Sequence, residues 1–145
     1  MECSQTLIEG IKILLSPREE ILLAYLFGSF SKGVSTPLSD IDIAVLIHGD
    51  ISEEKYPYGY RSELLTYLMK GLRTNRIDLV ILNDAPPFLK FQVVRHEQII
   101  ISRSEDKRID FQVKTISRYN DVKRLMSIQQ RYITERLKNG TYGKR

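Results

Sequence analysis

The sequence predicts an α/β fold on three observations. Helical and strand periodicities alternate along the chain, two apolar runs have the length and residue types of buried strands, and a long helical pattern occupies the last third. With 145 residues and 42% hydrophobic content, the chain suits one domain over residues 1–145, large enough to bury a core.

The elements follow in order. Leu7, Ile8, Ile11, Leu14 and Leu15 share one helical face, with Ser4 as N-cap and Pro17 as the stop. Residues 21 to 27, ILLAYLF, form a continuous apolar run ending at Gly28-Ser29, the pattern of a strand buried on both faces. A loop or short helix comes next. Residues 40 to 47, DIDIAVLI, are rich in β-branched side chains and predict a second strand. Leu64, Leu65, Leu68 and Leu72 repeat at helical spacing between about Tyr58 and Arg73, before the strand-like run IDLVIL at residues 77 to 82. The intervening helix would serve as a crossover. Asn83 and Asp84 are expected to cap a helix begun by Pro86-Pro87, and Gln98 to Ile101 to add an edge strand. From Glu105 to about Lys138 a helical pattern, continuous or broken, carries Ile109, Val113, Ile116, Tyr119, Val122, Met126, Ile133 and Leu137.

Composition excludes several classes. A single Cys3 rules out a disulfide framework within the chain and any multi-cysteine zinc site, and His48 and His96 alone make a poor ligand set. We assign neither histidine a role. No apolar run approaches the ~20 residues of a membrane span, and the opening residues lack the basic flank and cleavage site of a signal peptide. A cytoplasmic protein is expected. Net charge is +4, but residues 1 to 102 hold ten Lys/Arg against thirteen Asp/Glu, and residues 103 to 145 hold twelve against five. The basic end is either a solvated helix face or a surface for nucleic acid or an acidic partner.

The chemistry concentrates in Asp40-Ile41-Asp42. On a strand, residues two apart point to the same side, so both carboxylates would face one way while Ile41 and Ile43 face the core. Their α-carbons would lie roughly 6.6 Å apart, suited to a pair of metal ions. Asp78 opens the next predicted strand and could join them from a neighbouring position. Three crowded acids need a cation, and oxygen-only donors favour Mg²⁺, or Mn²⁺, over zinc. Upstream, Gly28-Ser29 follows a buried strand and precedes Lys32 and Gly33, a candidate cradle for a triphosphate. With eight Asp in the chain, an Asp-x-Asp pair alone arises readily by chance; its fixed offset from Gly-Ser does not.

Gly28-Ser29, ten residues, then Asp40-Ile41-Asp42 resembles the signature of the nucleotidyltransferase superfamily, the DNA polymerase beta-like enzymes. GSFSKGVSTPLSDIDIAVLI followed by RIDLVILNDAPPFLKFQVVRHEQII further resembles the minimal nucleotidyltransferase antitoxins of type VII systems, encoded beside HEPN-domain ribonuclease toxins. The likeness extends over most of the chain. It implies a nucleotidyltransferase fold with a mixed β-sheet flanked by helices, magnesium as cofactor, ATP as donor, and transfer of AMP to a tyrosine near the toxin's ribonuclease site. Carried over by position, Asp40, Asp42 and Asp78 become catalytic metal ligands, Gly28 and Ser29 phosphate contacts, and Lys32 a basic residue near the nucleotide. The expected partner is the toxin, in a hetero-oligomer, with no membrane and no direct nucleic-acid binding.

Simpler readings stand beside these. Asp40 and Asp42 could cap a turn, Asp78 could only pair with a nearby base such as Arg76, and Ser29 could be an ordinary N-cap. Tyr56, Tyr58 and Tyr60 are expected to pack a helix start rather than stack on adenine. Rival functions are a small-molecule nucleotidyltransferase with the same carboxylates, and a non-catalytic antitoxin acting by binding.

Overall fold

The apolar runs become the interior of a four-stranded mixed sheet. The computed structural model describes residues 2–28, 40–49, 56–95 and 98–139, with residues 2–4 as backbone alone. The order is α1 (Glu2–Leu15), β1 (Ile21–Phe27), β2 (Ile41–Ile47), α2 (Tyr60–Leu72), β3 (Ile77–Ile81), a 3₁₀ turn (Leu82–Asp84), α3 (Pro87–Arg95), β4 (Gln98–Ser102) and α4 (Glu105–Lys138). The strands lie in the order β3-β2-β1-β4. β1 is antiparallel to both its neighbours, and β2 and β3 are parallel, as the α2 crossover between them requires.

β1 is apolar on both faces because both are covered. Ala24 and Leu26 join Ile11 and Leu15 of α1 and Leu64 and Leu68 of α2 in one cluster. Leu23 and Tyr25 join Val93 of α3 on the opposite side, with Phe111 of α4 packed against them. A register irregularity between Ile21 and Leu23 puts Ile21 in the same cluster as Ala24, the local twist a bulge produces. Ile41 and Ile43 are buried as expected, at 8% and 0% exposure.

Arg18, in the turn after α1, ties that turn to α2. It pairs with Glu63 and lies 4.8 Å from the Tyr67 ring centroid, an ion pair backed by a cation–π contact. Tyr67 donates its hydroxyl to the Leu14 carbonyl at 2.6 Å.

Three expectations are corrected. Ser4 is not an N-cap, because α1 extends back to Glu2; no Pro or Gly interrupts residues 2 to 5, and the helix begins before its apolar face does. Asn83 and Asp84 do not cap α3. They belong to the 3₁₀ turn, and Asn83 instead clamps the end of β2, accepting from Ile47 N at 2.9 Å and donating to Ile47 O at 2.8 Å. Helix α2 starts at Tyr60 rather than Tyr58 because Gly59, at φ 88 and ψ 153, turns the chain out of helical geometry. It closes on Arg73 in the left-handed region, whose N–H returns to the Met69 carbonyl. α4 is continuous over 34 residues, with Ser104 accepting from Lys107 N at 3.3 Å as its N-cap. No helix among the described residues is long and apolar enough to cross a membrane.

Candidate functional site

The sheet topology brings one end of β1 against the starts of β2 and β3. Phe27, the last residue of β1, is the register partner of Asp42, and Asp42 is the register partner of Asp78 on the parallel strand. Asp40 immediately precedes β2, whose first residue, Ile41, donates its N–H to the Arg76 carbonyl at 2.8 Å. That bond fixes the relative height of the two acid-bearing strands. The sequence-predicted acids therefore come from one edge of the sheet.

Gly28 makes this edge sterically specific. Its φ is +74, and a Cβ built there would overlap Asp42 Oδ2 and come within 3.0 Å of Asp42 Cγ. Only glycine leaves room for the carboxylate beside the end of β1. Asp40 and Asp78 are exposed, whereas Asp42 is half-buried. The Asp42 carboxyl is held above the usual carboxylate range, first by burial and then by the negative charges of Asp78 and Asp40.

Arg61 of α2 lies close to Asp78. Its Nη2 lies 3.8 Å from Asp78 Oδ1, while its Nε donates to the Leu79 carbonyl at 2.9 Å. Arg61 is a base near Asp78 that sequence reasoning, which offered Arg76 as an example, did not name. The only signal was topological: a residue in the first turn of the crossover helix returns over the strand that the helix feeds.

Among the described residues, no group of three or more His, Cys, Asp or Glu side chains is already gathered as a cation cage. The three aspartates are neighbours in register and charge rather than ligands drawn onto one point. Their donor set nonetheless fits a hard divalent ion: all oxygen, mutually repulsive, with Gly28 leaving room for the Asp42 carboxylate at the end of β1. Ser29, Lys32 and His96 lie outside the described residues. His48 follows β2 and is exposed.

The tyrosine cluster divides. Tyr60 is buried and meets Tyr56 edge-on, with centroids 5.2 Å apart, which is the packing role expected; Tyr58 is 91% exposed. A groove along α2 between Tyr56, Tyr58, Tyr67 and Lys70 contains none of the three aspartates. The carboxylates, rather than this groove, carry the chemical argument.

Known proteins resemble this chain in sequence and fold. Residues 9–106 match the family described as Polymerase beta, Nucleotidyltransferase. The chain is 38% identical over 109 residues to Protein adenylyltransferase MntA of Shewanella oneidensis, which covers 75% of this chain and 73% of that protein. A crystal structure of a toxin-antitoxin with AMP-PNP superposes with a TM-score of 0.67 at 34% identity, over 90% of this chain and 98% of that one. A complex of tri-AMPylated Shewanella oneidensis HEPN toxin with MNT antitoxin superposes with a TM-score of 0.63 at 32% identity, over 92% and 98%. On sequence and fold together, the chain belongs to the polymerase beta nucleotidyltransferase family.

Proposed function

We propose that this chain is a protein adenylyltransferase antitoxin, which transfers AMP from ATP to a tyrosine hydroxyl of a cognate HEPN ribonuclease toxin and so neutralises it. The observation that carries the reading is the parallel register pairing Asp42 with Asp78 beside Gly28. Its family membership supports the chemistry. The named activity of MntA and the AMPylated toxin held by a relative support the acceptor. The reading takes residues 1–145 as one nucleotidyltransferase domain.

In the transfer, a bond forms between the acceptor oxygen and the α-phosphorus of ATP while the bond to the pyrophosphate oxygen breaks, and pyrophosphate leaves. Asp40, Asp42 and Asp78 would hold Mg²⁺, which when bound supplies the positive charge that offsets the triphosphate and the developing charge on the reacting oxygens. Asp42, half-buried on a strand, fixes the position of that charge. Arg61 stands 3.8 Å from Asp78 and would help to position it. Gly28, with Ser29 and Lys32 after it, would seat the phosphates through backbone N–H groups, a hydroxyl and an ammonium. An added AMP would place bulk and negative charge where the toxin must bind RNA phosphates, blocking it by occlusion and repulsion.

The test is intact-mass measurement of the toxin after incubation with ATP, Mg²⁺ and either the wild-type chain or Asp42→Asn. A gain of one or more AMP units with wild type and none with the variant is expected. Equal labelling by both would refute the role of Asp42, and an unmodified toxin with wild type would refute the transferase reading.

A further inference from the structure

We propose that the distal half of α4, Lys123 to Lys138, is the docking element for the cognate toxin, with Met126, Ile133 and Leu137 as its apolar contact line. The proposal rests on the function proposed above and deepens it by naming the surface that brings the acceptor to the site.

In the proximal half of α4, Phe111, Thr115, Tyr119 and Val122 are buried or half-buried on one face. Tyr119 stacks on Phe91 of α3 with centroids 3.7 Å apart. Continuing that helical spacing beyond Val122 reaches Met126, Ile133 and Leu137. These are 64%, 43% and 60% exposed. The face its own domain covers in the first half of the helix thus stays apolar through the second, where no cluster of the described core reaches it. Sixteen residues at ~1.5 Å rise carry it about 24 Å further.

Charge selects among occupants. The distal half holds Lys123, Arg124, Arg131, Arg136 and Lys138 against Glu135 alone, so two copies laid side by side would bring like charges together. RNA phosphates would answer the cations but leave the Met, Ile and Leu line without a partner. An apolar helical surface with an acidic rim satisfies both features.

The comparisons point to the toxin as that surface. The family match stops at residue 106, where α4 has barely begun, so nearly all of α4 lies beyond the segment common to the family. The toxin-antitoxin structure with AMP-PNP nevertheless matches 90% of this chain. Even if every unmatched residue fell in α4, more than half of its 34 residues would be shared with that relative. A helix that continues past that segment, over at least half the length of α4, is therefore also present in a toxin-bound relative.

The experiment uses the full chain carrying Met126→Glu with Ile133→Glu, and separately Lys123→Glu with Arg131→Glu, titrated with purified cognate toxin by calorimetry. Both pairs are exposed, and an unchanged melting temperature checks the fold. Toxin affinity should fall at least ~30-fold for the apolar pair, the scale of a lost hot spot. AMP transfer should show a raised KM for toxin with kcat unchanged. Toxin binding within about twofold of wild type in both variants would overturn the proposal. So would a wild-type dimer in light scattering that the apolar variant abolishes, or loss of binding to a labelled single-stranded RNA with toxin binding intact. Loss of toxin binding in the variants, with no AMP on the toxin from wild type, would uphold the docking surface and sink the transferase reading instead.

Discussion

Gly28→Ala should destabilise the fold by roughly 2–3 kcal/mol, from two separable sources. The first is backbone: at φ +74 an L side chain costs about 1–2 kcal/mol. The second is collision, because the new Cβ would overlap Asp42 Oδ2 and crowd its Cγ at 3.0 Å; pushing that carboxylate aside adds about 1 kcal/mol. Displacing Asp42 should also slow AMP transfer ~100-fold, the usual effect of misplacing a reacting group by about an ångström. Urea denaturation of wild type, Gly28→Ala, Asp42→Ala and the double variant separates the two sources. In the Asp42→Ala background the collision partner is gone, so the cost of Gly28→Ala should fall by about 1 kcal/mol, a coupling large enough to measure. An identical cost in both backgrounds would show that the carboxylate does not lie against the end of β1, and the argument for the site would fail.

Other outcomes follow from contacts away from the acids. Arg103 donates through Nε to the Ile21 carbonyl at 2.6 Å and through Nη2 to Leu15, Ser16 and Arg18 carbonyls at 3.0–3.1 Å, so Arg103→Met should cost about 2–4 kcal/mol in chemical denaturation. A loss under about 0.5 kcal/mol would show those carbonyls to be equally well served by water. Asn83→Ala removes both side-chain bonds to Ile47 and should cost about 1–2 kcal/mol, with increased amide exchange at Ile47 as its local signature. The Glu105 carboxyl is held below its ordinary value by hydrogen bonds from Arg108 and Ser102. Its contribution to stability is therefore present above the unfolded-state value and is lost as pH falls through the lower folded value. Glu105→Gln should flatten the stability profile below about pH 4.5, and a profile parallel to wild type would remove Glu105 from the acid response.

How much of this was legible depended on whether a signal was local. β1 matched the apolar run from Ile21 to Phe27 because burial on both faces leaves no polar residue to blur its ends. β2 began one residue later than expected, at Ile41, leaving Asp40 just outside the ladder. The extent of α4 matched its helical pattern, and its continuity, which the pattern leaves open, accords with the lack of Gly and Pro between Glu105 and Lys138. Caps were misread because capping depends on backbone angles as well as residue type: Ser4 and Asn83 have the right side chains in places where no helix starts. The pairing of Asp42 with Asp78 was anticipated from two strand-start acids, but the parallel register that aligns them comes from the α2 crossover. Arg61 was invisible for the same reason, since its partner is 17 positions away and they meet only when α2 folds over β3.

The strand order has a mechanical consequence for the acidic edge. Among the described residues, β2 is an inner strand, bonded to β1 on one side and β3 on the other, whereas β3 is at the margin with a neighbour on one side only. Asp42 therefore rides on backbone that cannot shift without unzipping two ladders, while Asp78 rides on backbone anchored by one. Adjustment to an incoming nucleotide falls to the marginal strand, and backbone deuterium uptake around Asp78 should outpace that around Asp42.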